Sequence, residues 1–141
     1  MEEEVKTLKK IGLKVTPQRL AILQIIKGDR THPSAEKIYS AISKEYPGMS
    51  FATVYNTLSK LVEAGEIQEL DIDPKKKRFD PYTPLHYHFY CKTCGKVYDV
   101  DYDVSLTPKI KKIAGHQIEA IQLNFKGICR NCAKDQKLTK K

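Results

Sequence analysis

Four amphipathic helical segments, a basic hairpin behind them and two Cys-x-x-Cys pairs predict an α+β chain of two modules. The first module is helical and closes with the hairpin. The second is shorter and mixes strands with a helix. Helix, short turn, second helix, then hairpin is the order of a winged helix-turn-helix, in which the second helix of the pair enters a DNA groove.

Each element follows from local chemistry. Val5, Leu8 and Ile11 mark a first amphipathic segment. Thr16-Pro17 starts the next helix, with Thr as cap and Pro at the first helical position, and Leu20, Ile22, Leu23 and Ile26 form its apolar face up to Gly28. Ser34 caps a third helix whose buried side is Ala35, Ile38 and Ile42, and Pro47-Gly48 breaks it. Ser50 caps a fourth that runs to about Ala64 and stops at Gly65, with Val54, Leu58, Leu61 and Val62 facing inward. Ile67–Ile72 is extended, Asp73-Pro74 starts a turn, and Lys77–Asp80 returns as a second strand. The tip Lys75-Lys76-Lys77-Arg78 is the expected wing, facing phosphate or minor groove.

Pro81 and Pro84 punctuate a linker, so the expected organisation is a module over 1–80, a hinge over 81–85 and a second module over 86–141. The second module reads as a strand at about Tyr87–Cys91, a turn and a strand at about Val97–Asp101. A helix capped by Ser105 follows, with a stripe of Leu106, Ile110 and Ile113, ending at Gly115. His116 reads most simply as a cap residue behind that helix. A longer strand through Ile118, Ala120 and Leu123–Phe125 comes next, and a polar tail from Lys134 is expected to fray. So short a unit has little core of its own and calls for a staple or a partner copy.

The composition is that of a soluble globular protein, 40% hydrophobic and 30% charged. No apolar run reaches the roughly 20 residues that span a bilayer. The start MEEEVKTLKK has neither an apolar stretch nor a cleavage site, so the expected location is the cytoplasm. The net charge is +8, but residues 1–84 carry 14 Lys and Arg against 12 Asp and Glu, while the rest carry 11 against 5. Local clustering matters more than the total. Between Val5 and Gly28 stand Lys6, Lys9, Lys10, Lys14, Arg19 and Lys27 with no acid, a stretch suited to phosphate or else an ordinary solvated face. In the fourth helix Ser50, Thr53, Tyr55 and Asn56 replace the usual Glu/Lys surface. They suit hydrogen bonds to bases and phosphates, against the alternative of a plain core helix.

All four cysteines fall in Cys91-Lys92-Thr93-Cys94 and Cys129-Arg130-Asn131-Cys132. In a cytosolic chain this spacing reads as a tetrahedral zinc site, because two thiolates three positions apart reach one ion from a tight turn; redox disulfides are the alternative. A second set lies near the linker. His86 and His88 share one face of a strand, Asp80 precedes the linker and Asp99 lies on the following strand. With His32 they make a nitrogen and oxygen set suited to Fe(II) or Mn(II), and open also to Zn(II), Co(II) or Ni(II). The residues alone do not force His32 into it, since a lone loop histidine is commonly a surface residue.

Together these motifs resemble the ferric uptake regulator family, most closely its peroxide-sensing branch. The resemblance is carried by Thr16-Pro17-Gln18-Arg19, His32-Pro33 with Ala35-Glu36 and Ile38-Tyr39, and Ser50 through Leu61 with its Ala-Thr-Val-Tyr-Asn core. Arg78-Phe79-Asp80, His86-Tyr87-His88 and both cysteine pairs complete it. It implies an N-terminal winged helix and a C-terminal α/β dimerisation domain. It implies one structural Zn(II) per chain on Cys91, Cys94, Cys129 and Cys132, and one regulatory Fe(II) or Mn(II) on His32, Asp80, His86, His88 and Asp99. It further implies a homodimeric repressor, not an enzyme, on a palindromic double-stranded operator, with Lys14 and Arg19 near phosphate and Tyr55 among the helix contacts.

Members with a further metal site use a late-strand histidine where this chain has Ile121 and Gln122, and Leu85 precedes His86, so two metals per chain are expected. Asp99 stands where iron sensors commonly carry Glu, which favours peroxide sensing by oxidation of His32 or His86. The alternative within the family is a repressor that answers iron or zinc supply. A metallohydrolase lacks an evident general base here, and a zinc-stapled nucleic-acid module with no sensing role is the remaining rival.

Overall fold

The computed structural model describes residues 1–84, 86–100, 109–119 and 121–139. The chain divides into two compact units, Met1–Thr83 and Pro84–Lys141. Among the described residues no helix is long and apolar enough to cross a membrane.

The first unit contains α1 (Glu2–Lys10), α2 (Pro17–Gly28), α3 (Ala35–Glu45) and α4 (Phe51–Glu63), followed by β1 (Gln68–Leu70) and β2 (Arg78–Asp80). The expected caps hold three of the helices: the hydroxyls of Thr16, Ser34 and Ser50 accept from the amides of Arg19, Lys37 and Thr53 at 3.2, 3.2 and 3.1 Å. Helix α4 ends in a Schellman turn. Gly65 takes φ +76°, Gly65 N donates to Val62 O at 3.0 Å and Glu66 N to Leu61 O at 2.9 Å. The core joins Leu8 of α1, Ile22, Leu23 and Ile26 of α2, Ile38 and Ile42 of α3, and Val54, Leu58 and Leu61 of α4 to Phe79 of β2. Strands β1 and β2 pair antiparallel, Gln68 opposite Asp80 and Leu70 opposite Arg78.

The turn between them is fixed by Asp73, whose carboxylate accepts from Lys75 N at 2.9 Å and from Arg78 Nε at 3.0 Å. Burial pushes Asp73 up, but the Lys75 amide and Arg78 outweigh it and hold its carboxyl below the ordinary value. Arg78 therefore does not belong to the exposed basic tip. Its guanidinium is turned inward, and Lys77 pairs with Glu69 at 2.8 Å across the hairpin, leaving Lys75 and Lys76 as the wing's most outward cations.

The second unit contains β3 (Tyr87–Cys91), β4 (Val97–Val100), β5 (Lys112–Ile113), β6 (His116–Gln117), β7 (Asn124–Gly127) and α5 (Arg130–Thr139). Strand β3 lies between β4, antiparallel with His88 opposite Asp99, and β7, parallel with Phe89 opposite Phe125. Among the described residues its buried side chains are few, Tyr87, His88, Tyr90, Cys91, Val97 and Cys129, whereas Ile110, Ile113, Leu123, Phe125 and Ile128 are exposed.

Three expectations are corrected here. The helix over 105–114 is absent from its described part; Ser105 and Leu106 lie outside the described residues. Lys112–Ile113 instead pairs with His116–Gln117, and Ala114 and Gly115 take φ 51° and 81°, the two positive values a tight two-residue hairpin turn demands. His116 accordingly lies on β6 and caps no helix. The late strand is confined to Asn124–Gly127, Ala120 lying outside the described residues. The polar tail is helical through Thr139, starting from Cys129, whose carbonyl accepts from Ala133 N at 2.8 Å.

Leu58→Ala is expected to destabilise the first unit by about 2–5 kcal/mol, because it empties a site packed on every side. Lys60→Ala, on the exposed face, is expected to change stability by less than about 0.5 kcal/mol. Urea unfolding of both variants checks the contrast.

Candidate metal centres

The second unit gathers its four cysteines from two turns. In the first, Cys91 ends β3 and Gly95, at φ +76°, lets the chain fold back so that its amide donates to Cys91 O at 2.8 Å. In the second, Cys129 and Cys132 bracket the start of α5. The four sulfurs lie within 4.8 Å of one another with no disulfide among them, and Cys94 Sγ is 3.9 Å from Cys129 Sγ. Zinc–sulfur bonds of about 2.3 Å in a tetrahedron set ligand sulfurs roughly 3.8 Å apart, whereas disulfide sulfurs sit about 2.05 Å apart. The spacing therefore fits zinc and excludes a disulfide between that pair.

Backbone donors support the sulfurs. Cys91 Sγ faces the amides of Cys129 at 3.3 Å and Cys94 at 3.5 Å, and Cys129 Sγ faces the amide of Cys132 at 3.5 Å. The N-terminus of α5 adds its positive dipole end to the same thiolates. Burial pushes the Cys91 thiol up, but the amides of Cys129, Cys94 and Thr93 outweigh it and hold it at about 6. The Tyr98 hydroxyl beside Cys129 lowers that thiol, and the same contact raises Tyr98 to about 12. Cys132, bonded to the Cys129 sulfur and partly buried, is pushed up to about 12.

Each unit also carries nitrogen and oxygen donors close together. In the first unit His32 and Asp80 are wholly buried, with His32 Nε2 3.3 Å from Asp80 Oδ2. Asp80 ends β2, and its other oxygen accepts from Tyr82 N at 2.9 Å. His32 sits before α3 at φ 60°, a left-handed conformation that a non-glycine residue adopts only under constraint. The surface-residue alternative for His32 is thereby removed.

In the second unit, His88 on β3 lies directly across from Asp99 on β4. His86 Nε2 and His88 Nε2 both approach Asp99 Oδ1, at 3.1 and 3.4 Å, with the two rings 4.3 Å apart. His86 Nδ1 is 2.7 Å from Pro84 O, and a carbonyl only accepts, so Nδ1 is the donor there and Nε2 is the ring nitrogen turned to Asp99. This donor chemistry fits a divalent metal that takes nitrogen and oxygen ligands.

The residues expected at DNA separate into two groups. Lys14, Arg19, Ser50 and Thr53 line an open groove of about 730 Å³, together with Thr16 and Gln18. Arg19 Nη1 donates to Lys14 O at 2.7 Å, and Ser50 Oγ and Thr53 Oγ1 are 2.9 Å apart. Tyr55 and Asn56 stand exposed farther along α4. Sequence reasoning passed over Phe51, 40% exposed at the first position of α4 and packed on Tyr39 and Tyr55 with ring centroids 5.7 and 6.1 Å away. An aromatic directly after a serine cap, off the buried stripe, was the available signal.

The ferric uptake regulator family model matches residues 10–126. The chain is 36% identical over 140 residues to the peroxide operon regulator of Bacillus subtilis strain 168, covering 96% of this chain and 95% of that relative. The solved peroxide stress regulator of Campylobacter jejuni is similar at 34% identity and a TM-score of 0.68, covering 91% of this chain and 98% of that one. The solved ferric uptake regulator of Vibrio cholerae is similar at 32% identity and a TM-score of 0.69, covering 88% and 98%.

Zinc binding must displace whatever protons the sulfurs carry. A thiol held at about 6 is already ionised above that pH and takes up a proton below it, so zinc affinity is expected to fall more steeply with acidification below about 6. Competition against a chromophoric chelator from roughly pH 5 to 8 measures the slope. Cys132→Ser is expected to lose zinc and unfold the second unit, read by elemental analysis and circular dichroism.

Proposed function

Because the chain belongs to the ferric uptake regulator family, we propose that it is a metal-dependent, DNA-binding transcriptional repressor that hydrogen peroxide inactivates. It binds DNA and acts as a homodimer, with zinc on Cys91, Cys94, Cys129 and Cys132 as its structural metal. The exposed Ile113, Leu123 and Phe125 of the second unit supply apolar surface for the partner copy. Residues 1–80 read DNA, 86–141 pair the subunits and sense metal, and 81–85 form the hinge, in a cytoplasmic protein.

The observation that carries the reading is that each unit holds an incomplete donor set. Two ligands alone make a weak site and three a modest one. In our reading His32 and Asp80 together with His86, His88 and Asp99 would hold one Fe(II) or Mn(II). Ligands drawn from both units then fix their relative placement. In the dimer this sets the two α4 helices about 34–36 Å apart, one turn of DNA, and matches a palindromic operator. Metal and DNA favour the same arrangement, so each strengthens the other. Ser50, Thr53, Tyr55 and Asn56 face the major groove, and Lys14 and Arg19 the phosphates.

Bound iron(II) supplies the redox chemistry that opens the peroxide O–O bond. The chain's part would be to hold the imidazole of His32 or His86 within reach of that chemistry. One peroxide oxygen ends on a ring carbon and the other leaves as water, while the ring gives up two electrons. Ligation by that imidazole weakens, and the arrangement that binds DNA is lost.

Operator affinity is expected to rise at least about tenfold with Mn(II), an effect that His88→Ala abolishes. Affinity indifferent to Mn(II) contradicts the reading. Peroxide is expected to add about 16 Da to the His32 or His86 peptide in the iron form and not in the manganese form. Oxidation confined to the cysteines points to a thiol sensor, and no oxidation in either form to a sensor of metal supply.

A further inference from the structure

Arg78 has the sequence position of a wing cation and the surroundings of a structural tie. Its side chain is 14% exposed. Nε and Nη2 each lie 3.0 Å from Asp73 Oδ2, while Nη1 donates to the backbone carbonyl of His32 at 3.1 Å. The same stretch of β2 grips the residues after His32. Ser34 forms a β-bridge with Arg78, and Phe79 N donates to Pro33 O at 2.9 Å. Pro33 and Ser34 thus lie against β2 through one backbone hydrogen bond and one isolated bridge, and His32, at φ 60°, directly precedes them.

A positive φ is strained for a non-glycine residue and persists where the surroundings over-determine it. Here the determining contacts are the pairing of β2 with residues 33 and 34 on one side and the guanidinium on the His32 carbonyl on the other. From these contacts we infer that Arg78, anchored by Asp73, is the positioning residue for His32: it holds the backbone in the conformation that turns the imidazole toward Asp80.

Only arginine does this job. One guanidinium spans a carboxylate and a carbonyl at once with fixed geometry, whereas a lysine ammonium satisfies one or the other. Asp73 also accepts from Lys75 N in the hairpin turn, so the wing and the His32 segment are tied through a single ion pair. The inference rests on the reading of His32 as a ligand of the regulatory metal.

The test is a double-mutant cycle on the full chain with its structural zinc in place, reading Mn(II) affinity by calorimetry in the absence of DNA. His32→Ala is expected to weaken Mn(II) binding at least about tenfold, and Arg78→Met to do nearly the same. The double variant is expected to bind no more weakly than His32→Ala alone, since a misdirected ligand has little left to lose. Arg78→Lys is not expected to rescue, and zinc content stays at the wild-type value in every variant.

Wild-type Mn(II) affinity in Arg78→Met, or losses that add in the double variant, overturns the positioning role while leaving the metal reading intact. A silent His32→Ala overturns both. Should Arg78→Met fail to fold, Asp73→Asn enters the same cycle with the same two outcomes.

Discussion

Donor atoms crowded together are the constraint on which the zinc centre of this chain and its proposed regulatory centre rest. Two thiolate charges about 4 Å apart repel by roughly 4 kcal/mol at an effective dielectric near 20. The second unit places four sulfurs within 4.8 Å. Amides from Cys94, Cys129 and Cys132 and the start of α5 favour the ionised sulfurs, which sharpens the repulsion among them. Zinc turns that repulsion into cohesion. The unit needs the help: among the described residues its buried side chains are few, and the longest strand, β3, is only five residues.

The same logic, with nitrogen and oxygen in place of sulfur, governs the histidines. His86 donates from Nδ1 to Pro84 O, which turns Nε2 to Asp99. His88 reaches the same carboxylate oxygen from the position directly across the strand pair. His32 and Asp80 are buried facing each other at a strained backbone position held by Arg78. Gathered imidazoles and carboxylates of this kind accommodate a divalent cation that takes nitrogen and oxygen ligands.

Much of this was legible in the sequence, for identifiable reasons. Thr16, Ser34 and Ser50 announced their helices because a hydroxyl before an apolar stripe has one dominant use, and each bonds as expected. The two cysteine pairs announced themselves because paired thiols at that spacing converge readily on a single ion. The hairpin at Ala114-Gly115 was not legible: Ile110 and Ile113 have helical spacing, and only the positive φ at Ala114 shows that the turn prevails. Helix α5 was missed because it has no conventional cap; a cysteine occupies that place, and its sequence is polar on all sides. The role of Arg78 was hidden by its neighbours, since three lysines before it make it look like the fourth member of a solvated patch. Composition cannot show that one cation of four turns inward.

The two centres divide the labour. Four thiolates on a rigid turn and a helix start make a closed site with no place for substrate or oxidant, as a structural metal requires. Imidazoles and carboxylates are the donors of the proposed regulatory site, and such nitrogen and oxygen sets suit Fe(II) or Mn(II). The central claim is that one ion draws ligands from both units. Anomalous diffraction at the manganese edge, on crystals of the zinc protein loaded with Mn(II), tests it directly. The expected result is one manganese peak per chain ligated by His32 and Asp80 together with His86, His88 and Asp99. A peak bound by residues of one unit alone, or two separate manganese peaks, contradicts it.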